Sequence, residues 1–367
     1  MRKPMILVSA AAGKTGSATA KLLLEKGYPV RALVRRADAR SEQLRALGAE
    51  IAVGSLEDIA DLRASLAGVQ RAYFCPPLEP GTLRRASLFA AAAQDAKLEA
   101  VVVLSQWLAD PLHPAVHARE KWLTQRVFEW IPGVDVTTVN PGFFADNYMV
   151  ALEPIAQFGL MAMPLGGGLN APPSNEDIAR VVVGALTDPA RHAGEVYRPT
   201  GPRLLAPDEI AAAIGRALGR PVRYQNAPMR LFLKVAKSLG VSDFVIEELH
   251  WFLLDYQRNS FGVGAPTDAV LEVGGAPPES FEEIARRYVA ASPFAARTLG
   301  SRLGAVGNLL KGLLTPAPDP ESIARRLEIP RPAHTALAAD SSDWNRSHGA
   351  ACPPGPVSAG PVGLELR

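Results

Sequence analysis

The 367-residue chain contains very little cysteine, no long apolar run and almost no net charge. Its two cysteines, Cys75 and Cys352, argue against a disulfide scaffold and are typical of a reducing compartment, so we expect a cytoplasmic protein. No run of about 18 apolar residues occurs, so we expect no membrane-spanning helix. A formal charge of +2 predicts neither a nucleic-acid partner nor an anionic membrane partner, although it does not exclude a local patch.

Short β-branched runs alternate with helical patterns in the first half of the chain, which is the signature of βαβ units. The pattern predicts a first helix from Thr15 to Lys26, ended by Gly27, and six apolar strands with helices on both faces. The predicted strands are Met5–Ser9, Val30–Val34, Ile51–Val53, Ala72–Cys75, Ala100–Ser105 and Val134–Val139. We therefore predict an α/β fold, a Rossmann-type doubly wound parallel sheet with a smaller, mostly helical C-terminal cap.

The alternation of β-branched runs and helical patterns becomes less regular after about Pro141, and the character of the sequence changes again after Ala290. We predict a sheet-bearing core over residues 1–150, a cap region over 151–290 interleaved with the core, a helical extension over 291–350 and a disordered Pro/Gly-rich tail over 351–367. The predicted cap helices are Asn175–Leu186, Pro207–Leu218 and Val241–Tyr256.

The extension carries apolar residues at three-to-four spacing, which predicts an amphipathic helix. These residues are Phe294, Leu299, Leu303, Val306, Leu310 and Leu313. The helix docks either on this chain's own core, which we favour, or on a partner.

The first strand runs into a turn of small residues, Ser9-Ala10-Ala11-Ala12-Gly13-Lys14-Thr15-Gly16. Against a G-x-x-G-x-x-G spacing, Ala10 replaces the first glycine, and Gly13 and Gly16 are retained. Small residues allow a tight turn and close approach of the backbone to a pyrophosphate, which the following helix N-terminus attracts. Alanine can serve the first position if its φ is negative, although glycine suits that position better. The turn predicts a nicotinamide-dinucleotide site that includes Ala10, Gly13, Lys14, Thr15 and Gly16.

Two alternatives compete with this interpretation of the turn. Gly13-Lys14-Thr15 resembles the end of a P-loop, but Val8 stands where that motif needs a glycine. The other alternative is a simple strand-to-helix turn without a ligand. If the dinucleotide interpretation holds, Ser55 after strand three and Cys75 after strand four flank the adenine and nicotinamide ends.

The second strand ends in two arginines, Arg35 and Arg36, where an NAD-selective site would carry an acidic residue. Two guanidiniums suit a ribose 2′-phosphate, and Lys14 can add to the same pocket. We therefore predict NADP(H) rather than NAD(H) as the cofactor. The alternative is that both arginines are solvated loop residues, partly neutralised by Asp38.

Several segments together resemble the NmrA-like, atypical short-chain dehydrogenase family over roughly residues 4–290. The segments are Gly13-Lys14-Thr15-Gly16, Arg31-Ala32-Leu33-Val34-Arg35, Val102-Val103-Leu104-Ser105, Asn140-Pro141-Gly142-Phe143-Phe144-Ala145-Asp146-Asn147, Glu176-Asp177-Ile178-Ala179 and Gly194-Glu195-Val196-Tyr197-Arg198-Pro199-Thr200-Gly201-Pro202. The resemblance implies dinucleotide binding, with Ser105 among the cofactor contacts. It also implies either a reductase of quinones, dyes or related molecules or a non-catalytic redox sensor. Ala10 and Gln106 depart from the family pattern.

Short-chain dehydrogenases usually carry Tyr-x-x-x-Lys, and no tyrosine here is followed by lysine at the fourth position. By resemblance, His117 stands in the tyrosine position and Lys121 is retained, which puts both on one helix face. Lys121 is predicted to bind the nicotinamide ribose, and His117, titrating near neutrality, to donate a proton. The alternatives are a surface or capping histidine and a solvated lysine.

Aromatic residues follow strands five and six at the carboxyl edge, where ligands of such sheets bind. We predict that a flat acceptor contacts Trp107, Phe143, Phe144, Asn147 and Tyr148, with core packing as the alternative for the two phenylalanines.

Loss of the tyrosine disfavours alcohol–ketone chemistry more than quinone, azo or activated-alkene reduction. We therefore predict an NADPH-dependent oxidoreductase that acts on a quinone-like or conjugated aromatic small molecule, as a monomer or homodimer and without a metal. A non-catalytic NADP(H)-sensing regulator with a protein partner is the alternative, and an epimerase or dehydratase is a weaker third.

Overall fold

A seven-stranded parallel sheet organises the chain in the computed structural model, which describes residues 3–349. The strands within these residues are β1 Ile6–Val8, β2 Val30–Val34, β3 Glu50–Val53, β4 Arg71–Phe74, β5 Ala100–Leu104, β6 Asp135–Val139, β7 Leu160–Met163, β8 Val196–Tyr197 and β9 Arg223–Asn226. The sheet runs in the order β3-β2-β1-β4-β5-β6-β8, and every neighbouring pair is parallel. The order reverses between β1 and β4, and in open α/β sheets that reversal creates a crevice at the carboxyl edge.

Seventeen α-helices are present between residues 3 and 349. They are α1 Lys14–Glu25, α2 Ala39–Ala46, α3 Ile59–Leu66, α4 Thr82–Asp95, α5 Val116–Glu129, α6 Ala145–Met149, α7 Leu152–Phe158, α8 Asn175–Thr187, α9 Pro189–His192, α10 Pro207–Leu218, α11 Met229–Ser238, α12 Asp243–Gln257, α13 Ala269–Glu272, α14 Phe281–Ala291, α15 Leu299–Leu314, α16 Pro320–Arg326 and α17 Ser342–Ser347.

The sheet is buried on both faces because alternate strand residues point to opposite layers of helices. On one face, Ile6 and Val8 pack in a cluster with Leu23 of α1 and with α8. On the other face, Leu7 packs with α3, with Phe89 of α4 and with α5. This arrangement confirms the predicted doubly wound α/β fold.

The cap region contributes to both the sheet and a separate core. β8 extends the sheet beside β6, and α8 packs on α1, so residues 151–290 interleave with the first half of the chain. The rest of the region forms a cluster around Tyr256 and Phe281. A short parallel pair, β7 with β9, lies outside the sequence prediction, because four-residue strands with mixed residues give no clear periodicity.

The C-terminal extension is helical up to Ser347 and folds back on the molecule. The Trp344 indole Nε1 donates to the Trp107 carbonyl at 2.9 Å, and the Ala336 N–H donates to the Leu112 carbonyl. The predicted tail, 351–367, lies outside the described residues.

The amphipathic helix α15 is present, but it does not dock through its leucines as expected. It packs on α11 and α7 and buries Ala305 and Gly312, while the larger apolar side chains face outward. Between residues 3 and 349, none of the helices combines the length and apolar character needed to cross a bilayer.

Candidate dinucleotide site and active site

The turn between β1 and α1 leaves a row of backbone donors without partners. The N–H groups of Ala12, Lys14, Thr15 and Gly16 donate to no acceptor among residues 3–349, and the N-cap Gly13 contributes no side-chain bond. A Cβ on Gly16 would lie 2.5 Å from the Ala10 carbonyl oxygen, so only glycine allows this close approach. Unpartnered N–H groups at the start of a twelve-residue helix form a site suited to an anion.

Ala10 adopts the left-handed backbone conformation, with a φ of 47°, so the condition of a negative φ, under which alanine suits this position, is not met. Its carbonyl accepts the Gly13 N–H at 2.8 Å, which holds this conformation in place. The departure from glycine is therefore a strained substitution, because a Cβ at positive φ crowds the following carbonyl.

Ala10→Gly is expected to stabilise the protein by about 1 kcal/mol, which corresponds to ~2 °C in the melting temperature of a domain of this size. Thermal unfolding followed by circular dichroism measures the effect. Ala11→Gly is the matched control, since Ala11 is buried and not in the left-handed region, and it should destabilise. A lower melting temperature for Ala10→Gly would contradict the assignment of strain.

The side chains of Lys14 and Thr15 are held by residues from the second half of the chain. Lys14 forms an ion pair with Asp146 of α6, and the Thr15 hydroxyl donates to Asn175 Oδ1 at 2.9 Å. The Asp146 Oδ1 atom has no partner among the described residues. Lys14 is thus directed toward Asp146, and its predicted contribution to a ribose-phosphate pocket would require it to leave that carboxylate.

Arg35 and Arg36 are both exposed where β2 ends. Arg35 forms a loose ion pair with Glu79 at 3.7 Å, and Arg36 has no ion pair within residues 3–349. Asp38 does not neutralise either of them. It caps α2 and binds Arg40, and that hydrogen bond lowers the pKa of Asp38 to about 2. The two guanidiniums are therefore available to a ligand.

Ser55 and Cys75 lie at the ends of strands that border the crevice. The Ser55 N–H donates to Asp61, and its hydroxyl accepts the Glu57 N–H. The Cys75 N–H donates to the Ser9 hydroxyl at 2.8 Å, which joins the ends of β4 and β1 across the reversal point. Burial raises the pKa of the Cys75 thiol, so the group stays protonated near neutral pH.

Lys121 is the buried cation at the carboxyl end of β5. Its Nζ donates to the Leu104 carbonyl at 2.7 Å, and burial lowers its pKa to about 8 while nearby Cys75 opposes that shift. Ser105 is buried beside it, and its hydroxyl accepts Gln125 Nε2 at 2.6 Å. The next residue, Gln106, is buried with its Nε2 unpartnered among the described residues. Lys121 is therefore not a solvated helix lysine.

His117 lies near Lys121 but does not titrate near neutrality. Burial, together with the positive charges of Lys121 and Arg85, lowers its pKa well below the usual value, so the ring is neutral. Its Nδ1 lies 3.3 Å from the Thr82 hydroxyl, and the side chain is buried. His117 is therefore not a surface histidine, and its lowered pKa favours the neutral ring.

Glu248 of α12 is a buried acid that the sequence pattern did not distinguish from a surface glutamate. Its Oε1 accepts the His117 N–H at 3.0 Å, so it caps α5 from another element, while Oε2 has no partner among residues 3–349. Burial raises its pKa to about 8 even though the backbone bond opposes the shift. The carboxyl is therefore mostly protonated at neutral pH.

Because the pKa of Glu248 is higher in the folded state than in the unfolded state, protonation of this side chain stabilises the fold. The contribution is complete below the unfolded pKa of about 4.5 and has been lost once the pH has risen through about 8. We expect the loss of this contribution to lower the melting temperature progressively between about pH 5 and pH 8, and Glu248→Gln, which keeps the acceptor oxygen, to flatten that fall. Glu42→Gln, at an exposed carboxylate of α2, should leave the profile unchanged. Identical profiles for Glu248→Gln and the parent protein would show that Glu248 does not titrate in this range.

The predicted acceptor-contacting aromatic residues do not line an open pocket. Trp107, Phe143 and Tyr148 are buried in the cap core, where Phe143 packs edge-on against Tyr148 at 5.3 Å. Phe144 is half-buried against the sheet-side core, and Asn147 is exposed. The C-terminal extension accounts for part of this burial, because Trp344 and His348 cover the Trp107 side.

A cleft of 650 Å³ opens beside the turn but does not reach Lys121. It runs from Gly13 along α1 to Glu25, with Arg40 and Tyr288 among its other lining residues. This cleft is therefore not the whole dinucleotide crevice. In open α/β sheets ligands bind where the strand order reverses, which here is between β1 and β4.

The strand order, the glycine turn and the crevice define a Rossmann-fold protein with a site for a dinucleotide. The family model described as "NmrA-like family" matches residues 2–260, and the chain belongs to that family. The chain is 33% identical over 296 residues to an NAD(P)H azoreductase from Xenophilus azovorans, covering 78% of this chain and 99% of that protein.

Two solved structures share the fold. An NADPH-dependent quinone oxidoreductase from Escherichia coli, solved with NADPH, has a TM-score of 0.68 at 24% identity and covers 77% of this chain and 99% of that one. The negative transcriptional regulator NmrA, solved with NADP, has a TM-score of 0.61 at 18% identity, with 86% and 100% coverage.

Proposed function

We propose that this protein is an NADPH-dependent reductase that transfers hydride to a quinone-like, azo or other conjugated aromatic acceptor. The proposal depends chiefly on the position of Lys121. This lysine is buried at the carboxyl edge of β5, beside the crevice where the strand order reverses. The azoreductase relative, aligned over 99% of its own length, supports the reaction class.

The residues present fit NADP(H). The unpartnered N–H groups of Lys14, Thr15 and Gly16 would hold the pyrophosphate, and Arg35 and Arg36 would hold the ribose 2′-phosphate. Other proposed contacts from the edges of β3, β4 and β5 are Ser55, Cys75, Ser105 and Lys121. When bound, NADPH supplies the hydride.

The chain's own residues favour acceptors that do not require a strong enzymic acid. His117 is neutral at physiological pH and hydrogen-bonded to Thr82. Lys121, with a pKa of about 8, is largely protonated at pH 7 and is suited to hold ribose hydroxyls. A quinone or azo acceptor can take its proton from solvent, so the site needs chiefly to position the acceptor.

The proposed partner is therefore a small molecule, with the protein acting in the cytoplasm as a monomer or homodimer and without a nucleic-acid partner. Of the predicted acceptor contacts, Phe144 is half-buried and Asn147 is exposed, whereas Trp107, Phe143 and Tyr148 are buried. We propose Phe144 and Asn147 as acceptor contacts, and assign the buried aromatics to packing.

The proposal is tested by titrating intrinsic fluorescence with NADPH and NADH, followed by steady-state NADPH oxidation with quinones, azo dyes and triphenylmethane dyes. We expect tighter binding of NADPH than of NADH and turnover with at least one acceptor class. Tight NADPH binding without turnover of any acceptor would contradict a reductase and favour the sensing regulator. No binding of either dinucleotide would contradict both functions.

A further inference from the structure

The helix α15 is oriented with its small residues inward and its large apolar residues outward. At about 3.6 residues per turn, Leu299, Leu303, Val306, Leu310 and Leu313 share one face. Leu299 and Leu303 are 82% and 71% exposed, whereas Ala305 on the opposite side is 3% exposed. A surface helix normally buries its apolar stripe, so this face is left without a partner in residues 3–349.

The orientation is fixed by specific contacts of the inner face. A Cβ on Gly312 would lie 3.0 Å from Val235 of α11, so this glycine allows the two helices to pack closely. The Lys234 ammonium donates to the Leu313 carbonyl at 2.7 Å. Asn308 donates to Glu153 of α7 at 3.1 Å. The five outward side chains, which we call the leucine face, are thus presented by a helix anchored on its other side.

The chain segment that carries the leucine face contains cations and no acidic residue, although Glu153 of α7 contacts the inner side of the helix. The sequence has no acidic residue between Glu283 and Asp319, and α15 carries Arg302 and Lys311. Neither of these two cations has an ion pair among the described residues. The neighbouring helix α11 adds Arg230 and Lys234 within a second acid-free stretch, residues 210–242, whereas Lys237 of the same helix is paired with Asp243.

We propose that the leucine face docks on an anionic lipid surface, with α15 lying in the plane of the interface. An apolar stripe bordered by cations suits this location, because the side chains enter the lipid boundary while the cations meet anionic headgroups. At 16 residues, α15 is shorter than the ~20 needed to span a bilayer. The inference does not depend on the proposed reductase activity.

A second copy of the chain fits the same face less well. A two-fold interface places a patch against itself, so a contact centred on the leucine face would oppose like-charged Arg302 and Lys311 across it. No acidic residue of the segment is available to compensate. The net charge of the whole chain, from which we expected no membrane partner, is near zero because acidic residues elsewhere balance this acid-free region.

Co-sedimentation of the full-length protein with phosphatidylcholine vesicles, with and without phosphatidylserine, tests the inference. We expect binding that increases with phosphatidylserine and decreases with salt. Leu303→Gln combined with Leu310→Gln should reduce the partition coefficient roughly tenfold or more. Both side chains are exposed, so the variant should remain folded.

The matched control is Leu47→Gln combined with Leu271→Gln, two similarly exposed leucines on other elements, and it should bind vesicles like the parent protein. Arg302→Gln combined with Lys311→Gln should lower binding only to vesicles that contain phosphatidylserine. Absence of vesicle binding, or binding that the leucine-face variant does not change, would overturn the inference. So would a stable dimer in sedimentation velocity that the leucine-face variant dissociates, because a second copy would then occupy the face.

Discussion

Replacing Arg35 and Arg36 together with serine is expected to weaken NADPH binding by roughly 10²–10⁴-fold and to leave NADH binding nearly unchanged. Each charge-assisted hydrogen bond to a phosphate contributes about 1.5–3 kcal/mol, and about 1.4 kcal/mol corresponds to tenfold in affinity. Both side chains are exposed at the end of β2. Asp38 is engaged by Arg40, and the only ion pair of the two arginines among residues 3–349 is the loose 3.7 Å contact of Arg35 with Glu79. Fluorescence titration with the two cofactors gives the ratio of the dissociation constants.

The control for this experiment is Arg45→Ser, which removes an exposed arginine of α2 that is already paired with Glu42. It should change neither dissociation constant by more than about threefold, since an exposed ion pair contributes ~0–1 kcal/mol. If the double variant loses affinity for NADH as strongly as for NADPH, the arginines do not select the phosphorylated ribose.

Lys121→Met is expected to lower kcat/KM for NADPH on the order of 10²-fold, because it removes a buried cation while keeping the side-chain length. The substitution also deprives the Leu104 carbonyl of the donor that now lies 2.7 Å away. Circular dichroism would show whether the variant is folded, and steady-state kinetics with the best acceptor would give the loss. Activity close to that of the parent protein would exclude Lys121 from the site.

The pH dependence gives an independent test of the same lysine. Since the pKa of Lys121 is about 8, it is charged below that pH and loses its proton above it. We expect kcat/KM to be level near pH 7 and to fall about tenfold per pH unit well above pH 8. Lys121→Arg keeps the charge throughout this range, so its lower activity should show no alkaline fall.

Much of the fold was predictable because the sequence features that mark strands, helices and turns lie within a few residues of one another. β2 has the predicted bounds, Val30–Val34, since a β-branched apolar run between turn residues has few alternatives in a buried parallel sheet. The helix Pro207–Leu218 also matches, because proline at its start and Gly219 after its end mark both boundaries. The turn before α1 follows from the same kind of short-range pattern.

The candidate site was predictable only in part. Lys121 and Cys75 are close enough to affect each other's pKa, although they lie on different elements. Burial lowers the pKa of His117 and raises that of Glu248, and the two residues meet although they lie on α5 and α12, far apart in the sequence. Such burial cannot be predicted from a local sequence pattern, because the groups that desolvate a side chain come from remote parts of the chain.

The amino-acid order by itself determined the doubly wound sheet, the turn before α1 and the arginines after β2, since each depends on residues within a few positions of one another. Tertiary packing alone decided the left-handed conformation of Ala10, the burial of Trp107 under Trp344 and the outward direction of Leu303. Periodicity identifies which residues share a face of a helix. Which face is covered depends on the shape of the neighbouring elements, and α15 packs closely on α11 only through its glycine and alanine side.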